Sequence, residues 1–344
     1  MTQILERPEA AMMQAEAREI FDVTIVGGGP AGLFGAFYAG LRQMKTKILD
    51  SLPELGGQLN ALYPEKYVYD MPGHPKILAR DLARDMITQA IQFNPAVCLD
   101  EKVLELAYEL DGTIRLITQR DTHYSRTLLL ATGAGAFAPT KMDAPGLADF
   151  EGRGVYYFVK DKSFFAGKRL LIVGGGDSAL DWALNLEGIA SHITLAHRRD
   201  TFRAHEESVD WLLNRSQVEV RLWNEVKSVT GDETLRTATL VNNKTKEETT
   251  LEVDAVLLNL GFKADIGPIR DWGVELHGSK KIIVNETMQT NLPGVYAIGD
   301  ITHHTAKIDL IATGVGEAAI AVNFAKSALD PGAKLFVHSS NMTL

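Results

Sequence analysis

Cysteine is almost absent from this sequence of 344 residues, in which Cys98 stands alone. One thiol forms neither an intramolecular disulfide nor a CxxC pair, so dithiol redox chemistry and a cysteine-based zinc site are excluded, and we expect Cys98 to lie in a core strand. Basic residues are outnumbered, with 35 against 44 acidic ones, and the resulting net charge of −9 repels a phosphate backbone. Nucleic acid is therefore not an expected partner.

Long apolar segments are lacking as well. No run reaches the roughly 18 uncharged apolar residues of a membrane span, and the best candidate, 310–325, contains Glu317 and several glycines. Residues 1–20 carry four glutamates and no continuous apolar core, which argues against a signal peptide. We therefore expect a cytoplasmic protein with no membrane partner, and a weakly helical or frayed arm over 1–19.

Glycine, by contrast, is abundant, with 30 residues in a composition of 45% apolar and 23% charged residues that is typical of a globular protein. At about 150 residues per domain, the chain has room for two domains. One pattern occurs twice, as IVGGGPAGL at 25–33 and as IVGGGDSAL at 172–180. Each copy joins a short apolar strand to a glycine turn and a helix start, which predicts two nucleotide-binding units about one domain length apart.

The first copy predicts a dinucleotide site. Gly27, Gly29 and Gly32 match GxGxxG, where the first glycine permits a tight turn, the second admits a pyrophosphate, and the third lets helix and strand pack closely. The N-terminus of the following helix offers free N–H groups to the anion. Asp50 ends the next predicted strand, close to the spacing at which a carboxylate accepts hydrogen bonds from a ribose.

The second copy differs at the corresponding strand end. Gly174, Gly176 and Ala179 match GxGxxA, but the next strand ends in His197-Arg198-Arg199 instead of an acid, with Arg203 close behind. A guanidinium group binds a 2′-phosphate in bidentate fashion, whereas a carboxylate would repel it. This site is therefore predicted to prefer NADP to NAD.

A third signal follows much later in the chain. Residues 290–300 have the arrangement TxxxGVxAxGD, in which Asp300 ends a predicted strand. Beside the first nucleotide site, such an acid accepts hydrogen bonds from ribityl or ribose hydroxyls, which favours a flavin there. Because His303 and His304 are adjacent and His205-Glu206 lacks the second histidine of a zincin, no metal site is expected.

The order of predicted elements indicates that the second unit is inserted into the first. These elements are a βαβ unit at 21–50, a helix at 77–93, a hairpin around Asp111-Gly112, strands at 128–133, 192–196, 218–254 and 255–260, a helix at 206–215, a strand at 294–300 and a helix at 314–328. We predict an α/β fold of two Rossmann-like domains with three-layer ββα architecture. The FAD-binding domain comprises 20–136 and 263–344, including a C-terminal extension at 330–344, and the NADP-binding domain comprises 137–262, with hinges near 134–140 and 261–267.

This arrangement, together with Ala131-Thr132-Gly133 and Gly299-Asp300, resembles the low-molecular-weight thioredoxin reductases. In that class FAD lies in the outer domain and NADPH in the inserted domain, and a CxxC stands just before the second glycine motif. Here that position reads Phe158-Val159-Lys160-Asp161, so disulfide exchange is excluded.

From about residue 21 to residue 340, the sequence resembles more closely the thioredoxin-reductase-like ferredoxin-NADP reductases. The segments that carry this resemblance are SLPELGGQL at 51–59, ALYPEKYVY at 61–69, GGGDSALDWAL at 174–184, HRRDTFRAHE at 197–206 and HSS at 338–340. The resemblance implies an enzyme that transfers electrons between NADPH and ferredoxin or flavodoxin through FAD. A hydride passes to flavin N5, and electrons then leave one at a time.

The resemblance also implies which residues form the site. Tyr63 and His338 are expected on opposite faces of the isoalloxazine, with His338 crossing from the partner subunit of a homodimer. The other expected FAD contacts are Gly27, Gly29, Pro30, Ala31, Gly32, Asp50, Gly57, Gln58, Leu59, Val103, Asp300, Thr313 and Ser339. The expected NADP contacts are Gly174, Gly176, Ser178, Ala179, His197, Arg198, Arg199 and Arg203.

Two alternatives stay open. One is an NADPH diaphorase or oxidase of the same class that feeds oxygen or quinones, and the other is a relative that binds FAD as a structural or sensing module without turnover. The arginines of the second site argue against the latter, since a non-catalytic relative need not keep them. Because ferredoxins are usually acidic and this chain is acidic too, docking requires local cations such as Lys160, Lys162 and Arg42.

Overall fold

The computed structural model describes residues 18–133 and 135–335. The predicted arm up to residue 17, and the predicted site residues His338 and Ser339, lie outside the described residues. The α-helices are α1 (Pro30–Leu41), α2 (Gln58–Ala61), α3 (Ala79–Ala90), α4 (Asp177–Leu186), α5 (Glu206–Asn214) and α6 (Ile311–Leu329). Single 3-10 turns occur at Ile91–Phe93, Lys162–Phe165, Gly267–Asp271 and Gly299–Ile301.

The strands alternate with these helices in the two segments that carry the glycine motifs. In chain order they are β1 (Ile20–Val26), β2 (Thr46–Leu49), β3 (Tyr67–Val68), β4 (Ile77–Leu78), β5 (Ala96–Cys98), β6 (Val103–Tyr108), β7 (Ile114–Thr118), β8 (Thr122–Leu130), β9 (Ala136–Pro139), β10 (Val155–Tyr156), β11 (Arg169–Gly174), β12 (His192–His197), β13 (Glu219–Leu222), β14 (Asn224–Gly231), β15 (Leu235–Asn242), β16 (Glu248–Glu252), β17 (Ala255–Asn259), β18 (Phe262–Asp265), β19 (Leu276–His277), β20 (Lys281–Ile283), β21 (Val295–Ala297) and β22 (Thr302–His303).

The first sheet is built around β1. Its order is β5-β2-β1-β8-β7-β6, and β21 pairs with the end of β8. Strands β5, β2, β1, β8 and β21 are parallel, whereas β6 and β7 form the antiparallel hairpin predicted around Asp111-Gly112. Helix α1 joins β1 to the parallel β2, which confirms the predicted βαβ unit. The central strands β1, β2 and β8 end in apolar residues, because both faces of the sheet are covered there, and Ile25, Ile48 and Leu129 belong to one buried core.

The second sheet lies between β9 and β18 in sequence and contains β10-β17-β11-β12-β13, all parallel. Successive residues of β11 point to opposite faces. Leu170 and Ile172 pack with the buried residues of α4 and α5, while Leu171 and Val173 pack against the antiparallel layer β14-β15-β16. The result is a helix layer, a parallel sheet and a second β-layer, which is the predicted three-layer arrangement.

The chain crosses between the two sheets twice, and its two crossing segments pair with each other. Strands β9 and β18 form an antiparallel ribbon in which Phe262 lies opposite Pro139. Both predicted hinge segments fall on this ribbon.

Three expectations differ from the structure. The helix expected over 77–93 is shortened to α3, because Ile77–Leu78 pairs with β3 and Ile91–Phe93 tightens into a 3-10 turn. Helix α6 starts earlier than expected, at Ile311. Cys98 lies on β5 at the edge of the sheet and is only half-buried, so the expectation of a core strand was wrong. No helix in the described part of the chain is long and apolar enough to cross a membrane.

Candidate functional site

The first glycine turn leaves the N-terminus of α1 open. Gly29 is extended, and Pro30 takes the first helical position, where its missing N–H costs nothing. Gly27 has a φ of +109°, and a Cβ there would lie 2.4 Å from the Ala131 carbonyl oxygen. A Cβ on Gly32 would lie 1.9 Å from the Gly27 carbonyl oxygen, so only glycine permits this packing of helix against turn.

Asp50, directly after β2, is buried against this turn. Its Oδ2 accepts a hydrogen bond from Gly28 N at 2.6 Å, and its Oδ1 accepts one from Leu52 N at 2.9 Å. Burial raises the pKa of the Asp50 carboxyl, an effect that these backbone N–H donors oppose. The carboxylate therefore holds the loop in place and retains further acceptor capacity for a ligand hydroxyl.

A cavity of about 950 Å³, which we call the first cavity, opens from this turn. The predicted site residues that line it are Gly27, Gly29, Pro30, Ala31, Asp50, Gly57, Gln58, Leu59, Tyr63, Val103 and Asp300. Gly32 and Thr313 do not line the cavity: Gly32 is buried behind the turn, and Ile311 and Gly314 take the corresponding position on α6.

The donor and acceptor set of the first cavity fits a dinucleotide such as FAD. The open turn suits a pyrophosphate, and Asp50 and Asp300 at two strand ends suit polyol hydroxyls. Thr132 Oγ1 faces the same region, is buried, and has no hydrogen-bond partner among the described residues. A buried hydroxyl of this kind requires a partner, which a bound ligand supplies.

Tyr63 and Asp300 stand together in the wall of the first cavity. Burial, with a contribution from the charge of Asp300, raises the pKa of the Tyr63 hydroxyl well above its ordinary value. Burial also raises the pKa of Asp300, and the charge of Asp309 adds to that effect. The Tyr63 side chain packs against the apolar cores of both sheets, so this residue lies where the two halves of the molecule meet.

A second cavity, of about 470 Å³, surrounds the other glycine turn. The predicted residues that line it are Gly174, Gly176, His197, Arg198, Arg199 and Arg203. Ser178 and Ala179 do not line it. A Cβ on Gly174 would lie 2.8 Å from Ala179 Cβ, so Ala179 holds helix α4 against the turn as Gly32 does in the first copy.

The charges of the second cavity fit a 2′-phosphate. Arg198, Arg199 and Arg203 are exposed and have no ion-pair partner within the part of the chain that the structure describes. Burial, together with these three arginines, lowers the pKa of His197, whose Nε2 lies 3.0 Å from the Thr201 carbonyl oxygen. His197 is thus neutral near pH 7, and the positive charge of the cavity comes from the arginines.

Asn259 is a lining residue of the second cavity that sequence reasoning missed. Its Oδ1 is buried and unpartnered among the described residues. Asn259 ends β17, at the carboxyl edge of a parallel sheet where ligands bind, and that position is the signal that could have identified it.

Neighbouring residues at the start of α4 line the two cavities. Gly176 lines the second cavity, whereas its neighbour Asp177 lines the first, followed on the same helix face by Asp181 and Asn185. Asp181 Oδ2 forms an ion pair with Lys66 Nζ at 2.5 Å, which links the inserted half to the wall of the first cavity. Sequence reasoning did not find this pair, because Lys66 precedes β3 in the first half of the molecule and Asp181 lies on α4 of the inserted half.

Cys98, Glu101 and His123 place three possible metal-ligand atoms within 4.8 Å of one another. His123 Nε2 already lies 2.7 Å from Glu101 Oε1, and Lys47 Nζ lies 3.0 Å from His123 Nδ1. A lysine ammonium on the far side of the imidazole repels a cation, so we read this group as a buried hydrogen-bond network.

The cations expected to dock a partner are not equivalent. Arg42 is only 7% exposed, and its guanidinium donates to the Lys334 carbonyl oxygen at 2.7 Å, so it is not a docking residue. Lys162 stands 5.5 Å from the centre of the Tyr67 ring, which borders the first cavity, and Lys160 is exposed nearby in sequence.

Two dinucleotide-like cavities in one α/β chain define a class of flavin and nicotinamide enzymes, and comparison with known proteins gives the family. The chain belongs to the pyridine nucleotide-disulphide oxidoreductase family, whose model matches residues 21–322. It is 49% identical over 326 residues to the ferredoxin--NADP reductase of Halalkalibacterium halodurans, covering 94% of this chain and 98% of that protein. The predicted resemblance is thereby confirmed.

Solved structures confirm the predicted fold class. Thioredoxin reductase of Lactococcus lactis in its FR conformation has 28% sequence identity and a TM-score of 0.77, covering 89% of this chain and 97% of that one. Thioredoxin reductase of T. acidophilum has 26% identity and a TM-score of 0.78, covering 90% and 99% respectively.

Proposed function

We propose that this chain transfers electrons between NADPH and ferredoxin, or flavodoxin, through FAD. The near full-length similarity to the ferredoxin--NADP reductase of H. halodurans supports the proposal. The single cysteine supports it too, because thiol exchange of the CxxC type needs two thiols. FAD, when bound, supplies the exchange between two-electron and one-electron chemistry, and the chain contributes binding, orientation and electrostatics.

The first cavity is the proposed FAD site, in a domain formed by 20–136 and 263–344. The open N-terminus of α1 would bind the pyrophosphate, and Asp50 and Asp300 would accept hydrogen bonds from hydroxyls. Tyr63 would cover one face of the isoalloxazine. His338, contributed by the partner subunit of a cytoplasmic homodimer, remains the proposed cover of the other face, and Ser339 remains a proposed FAD contact.

The second cavity is the proposed NADPH site, in a domain formed by 137–262. Arg198 and Arg199 would bind the 2′-phosphate through charge-assisted hydrogen bonds. The observation that carries the mechanism is the adjacency of Gly176 and Asp177 across the two cavities. A dinucleotide held at the arginines has only to pass the start of α4 for its nicotinamide to enter the first cavity.

The test is anaerobic mixing of the protein with NADPH and a purified bacterial ferredoxin, followed by absorbance. Parallel assays replace ferredoxin by a neutral quinone or, in aerated buffer, by oxygen at equal concentration, and we expect ferredoxin to be reduced faster than either. Rapid turnover with quinone or oxygen that ferredoxin does not accelerate would favour the diaphorase alternative. A protein that binds FAD but does not oxidise NADPH with any acceptor would favour the sensor alternative.

A further inference from the structure

Glu317 is a buried acid that does not line either cavity. It lies in the second turn of α6, a helix composed largely of small residues, and is only 4% exposed. A carboxylate in such surroundings is costly unless charged or hydrogen-bonded groups surround it. Its partners therefore indicate why this position is acidic.

One carboxylate oxygen holds the turn that carries Asp300. Glu317 Oε2 accepts a hydrogen bond from Gly299 N at 2.6 Å. Gly299 has a φ of +72° and is wedged where α1 and α6 begin: a Cβ on Gly299 would lie 3.2 Å from Ala31 Cβ, and one on Gly314 would lie 3.3 Å from Gly299 Cα. Because Gly299 is buried, its N–H needs this acceptor, and the bond fixes the backbone directly before Asp300.

The other oxygen holds a second wall of the first cavity. Glu317 Oε1 accepts from Lys307 Nζ at 2.9 Å and lies 3.1 Å from His304 Nε2. The Lys307 side chain is itself only 4% exposed. Each charge of this pair therefore offsets most of the desolvation cost of burying the other. The loop that carries Lys307 continues into Asp309 and Leu310, which line the first cavity.

We propose that Glu317 is a positioning residue of the FAD site: one carboxylate fastens both the Gly299–Asp300 turn and the 304–310 loop to α6. The inference rests on FAD being the ligand of the first cavity. Glu317 does not line the first cavity, so it would act through Asp300 and through the loop. Loss of its charge would deprive the buried Lys307 ammonium of its ion-pair partner and leave Asp300 as a more distant compensating charge, which would favour movement of the loop toward solvent.

The test compares Glu317→Gln, Lys307→Met and the double variant. Glutamine keeps an oxygen for Gly299 N but cannot neutralise Lys307, whereas the double variant removes both charges. We expect each single variant to bind FAD about tenfold or more weakly, with an altered flavin absorbance spectrum, and the double variant to recover most of the loss. The measurements are titration of the apoprotein with FAD and the spectrum of the bound flavin.

Asp254→Asn is the matched control, because it removes a carboxylate paired with Arg169, and neither residue lines the first cavity. We expect its FAD affinity to equal that of the wild type. A Glu317→Gln variant with lower thermal stability but unchanged FAD affinity and spectrum would overturn the inference, since Glu317 would then be merely structural. If Glu317→Gln does not fold, unchanged FAD affinity in Lys307→Met would likewise overturn the inference. Failure of the wild type to bind FAD would instead refute the proposed function.

Discussion

The two glycine turns share one backbone design and differ in the residue that ends the neighbouring strand. In each turn the middle glycine packs against that residue. A Cβ on Gly28 would lie 2.9 Å from the Asp50 carboxylate, and one on Gly175 would lie 2.1 Å from the His197 ring. In the first turn the partner is a buried acid bonded to the turn itself, whereas in the second it is an imidazole followed by exposed arginines.

From this difference we expect the first cavity to retain its ligand and the second cavity to exchange its ligand with solution. The first cavity is about twice as large, at about 950 against 470 Å³, and its lining includes the buried carboxylate of Asp50 and the Thr132 hydroxyl, which is buried and unpartnered among the described residues. In the second cavity the positive charge lies on the exposed guanidinium groups of Arg198, Arg199 and Arg203. Buried, geometrically fixed partners favour slow release, whereas exposed charges favour rapid capture from solution. The same turn can thus serve both as a cofactor site and as a substrate site.

The largest effect is expected from valine at the glycine that admits the pyrophosphate, which is the second glycine of each GxGxx(G/A) motif. Gly29 and Gly176 both have negative φ, and a Cβ on either meets nothing closer than 3.9 Å, so neither variant should strain the protein. Gly29→Val should abolish FAD binding and Gly176→Val should abolish NADPH binding, because each side chain fills the space meant for a pyrophosphate.

The two variants serve as each other's control. FAD content is measured from the absorbance of the purified protein, and NADPH binding is measured by titration. Each variant should keep the ligand of the other site. Loss of both ligands in either variant would show that the two sites are not separable.

The second effect concerns coenzyme preference. Arg198→Ala and Arg199→Ala should each cost about 1.5 to 3 kcal/mol in NADPH binding and little in NADH binding, because only NADPH carries the 2′-phosphate. The measurement is kcat/KM for the two coenzymes. Arg236→Ala, in the antiparallel layer and paired with Asp232, is the control and should leave the ratio unchanged. A double arginine variant with the wild-type ratio would place the phosphate site elsewhere.

Local patterns in the sequence predicted what depends on neighbours along the chain. The glycine turns, Asp50 and the arginines all follow from a strand, a turn and a helix in succession, and the insertion of one unit follows from element order. The Lys66–Asp181 pair and the contacts of Glu317 were not predicted, because they join different elements of the fold. The role of such residues depends on tertiary contacts, which a pattern of neighbouring residues does not predict. Asn259 was missed although its place at the end of β17 was a usable signal.

A smaller effect is expected at the ion pair that joins the two halves. Lys66 and Asp181 are about one quarter exposed, and pairs of this kind contribute roughly 0.5 to 1 kcal/mol. Lys66→Met and Asp181→Asn should each slow the NADPH-dependent bleaching of the flavin about two- to fivefold, and the double variant should be no slower than either single one. The exposed pair Lys227–Glu248 is the control. Strictly additive losses would mean that the pair does not act as a unit.

The smallest effect is expected at Cys98, on the edge strand next to β2. Burial raises the pKa of the Cys98 thiol, and the nearby Glu101 carboxylate adds to that effect. A raised pKa means that less thiolate is present at neutral pH, so alkylation should be slow there and should accelerate only in alkaline solution. Cys98→Ser should change ferredoxin reduction by less than about twofold, and neither the variant nor the wild type should reduce thioredoxin, because Phe158 and Asp161 occupy the positions of an exchanging pair. Electron transfer that an alkylating agent abolishes in the wild type but not in Cys98→Ser would contradict this, and it would assign to the first half of the molecule a redox group besides its cofactor.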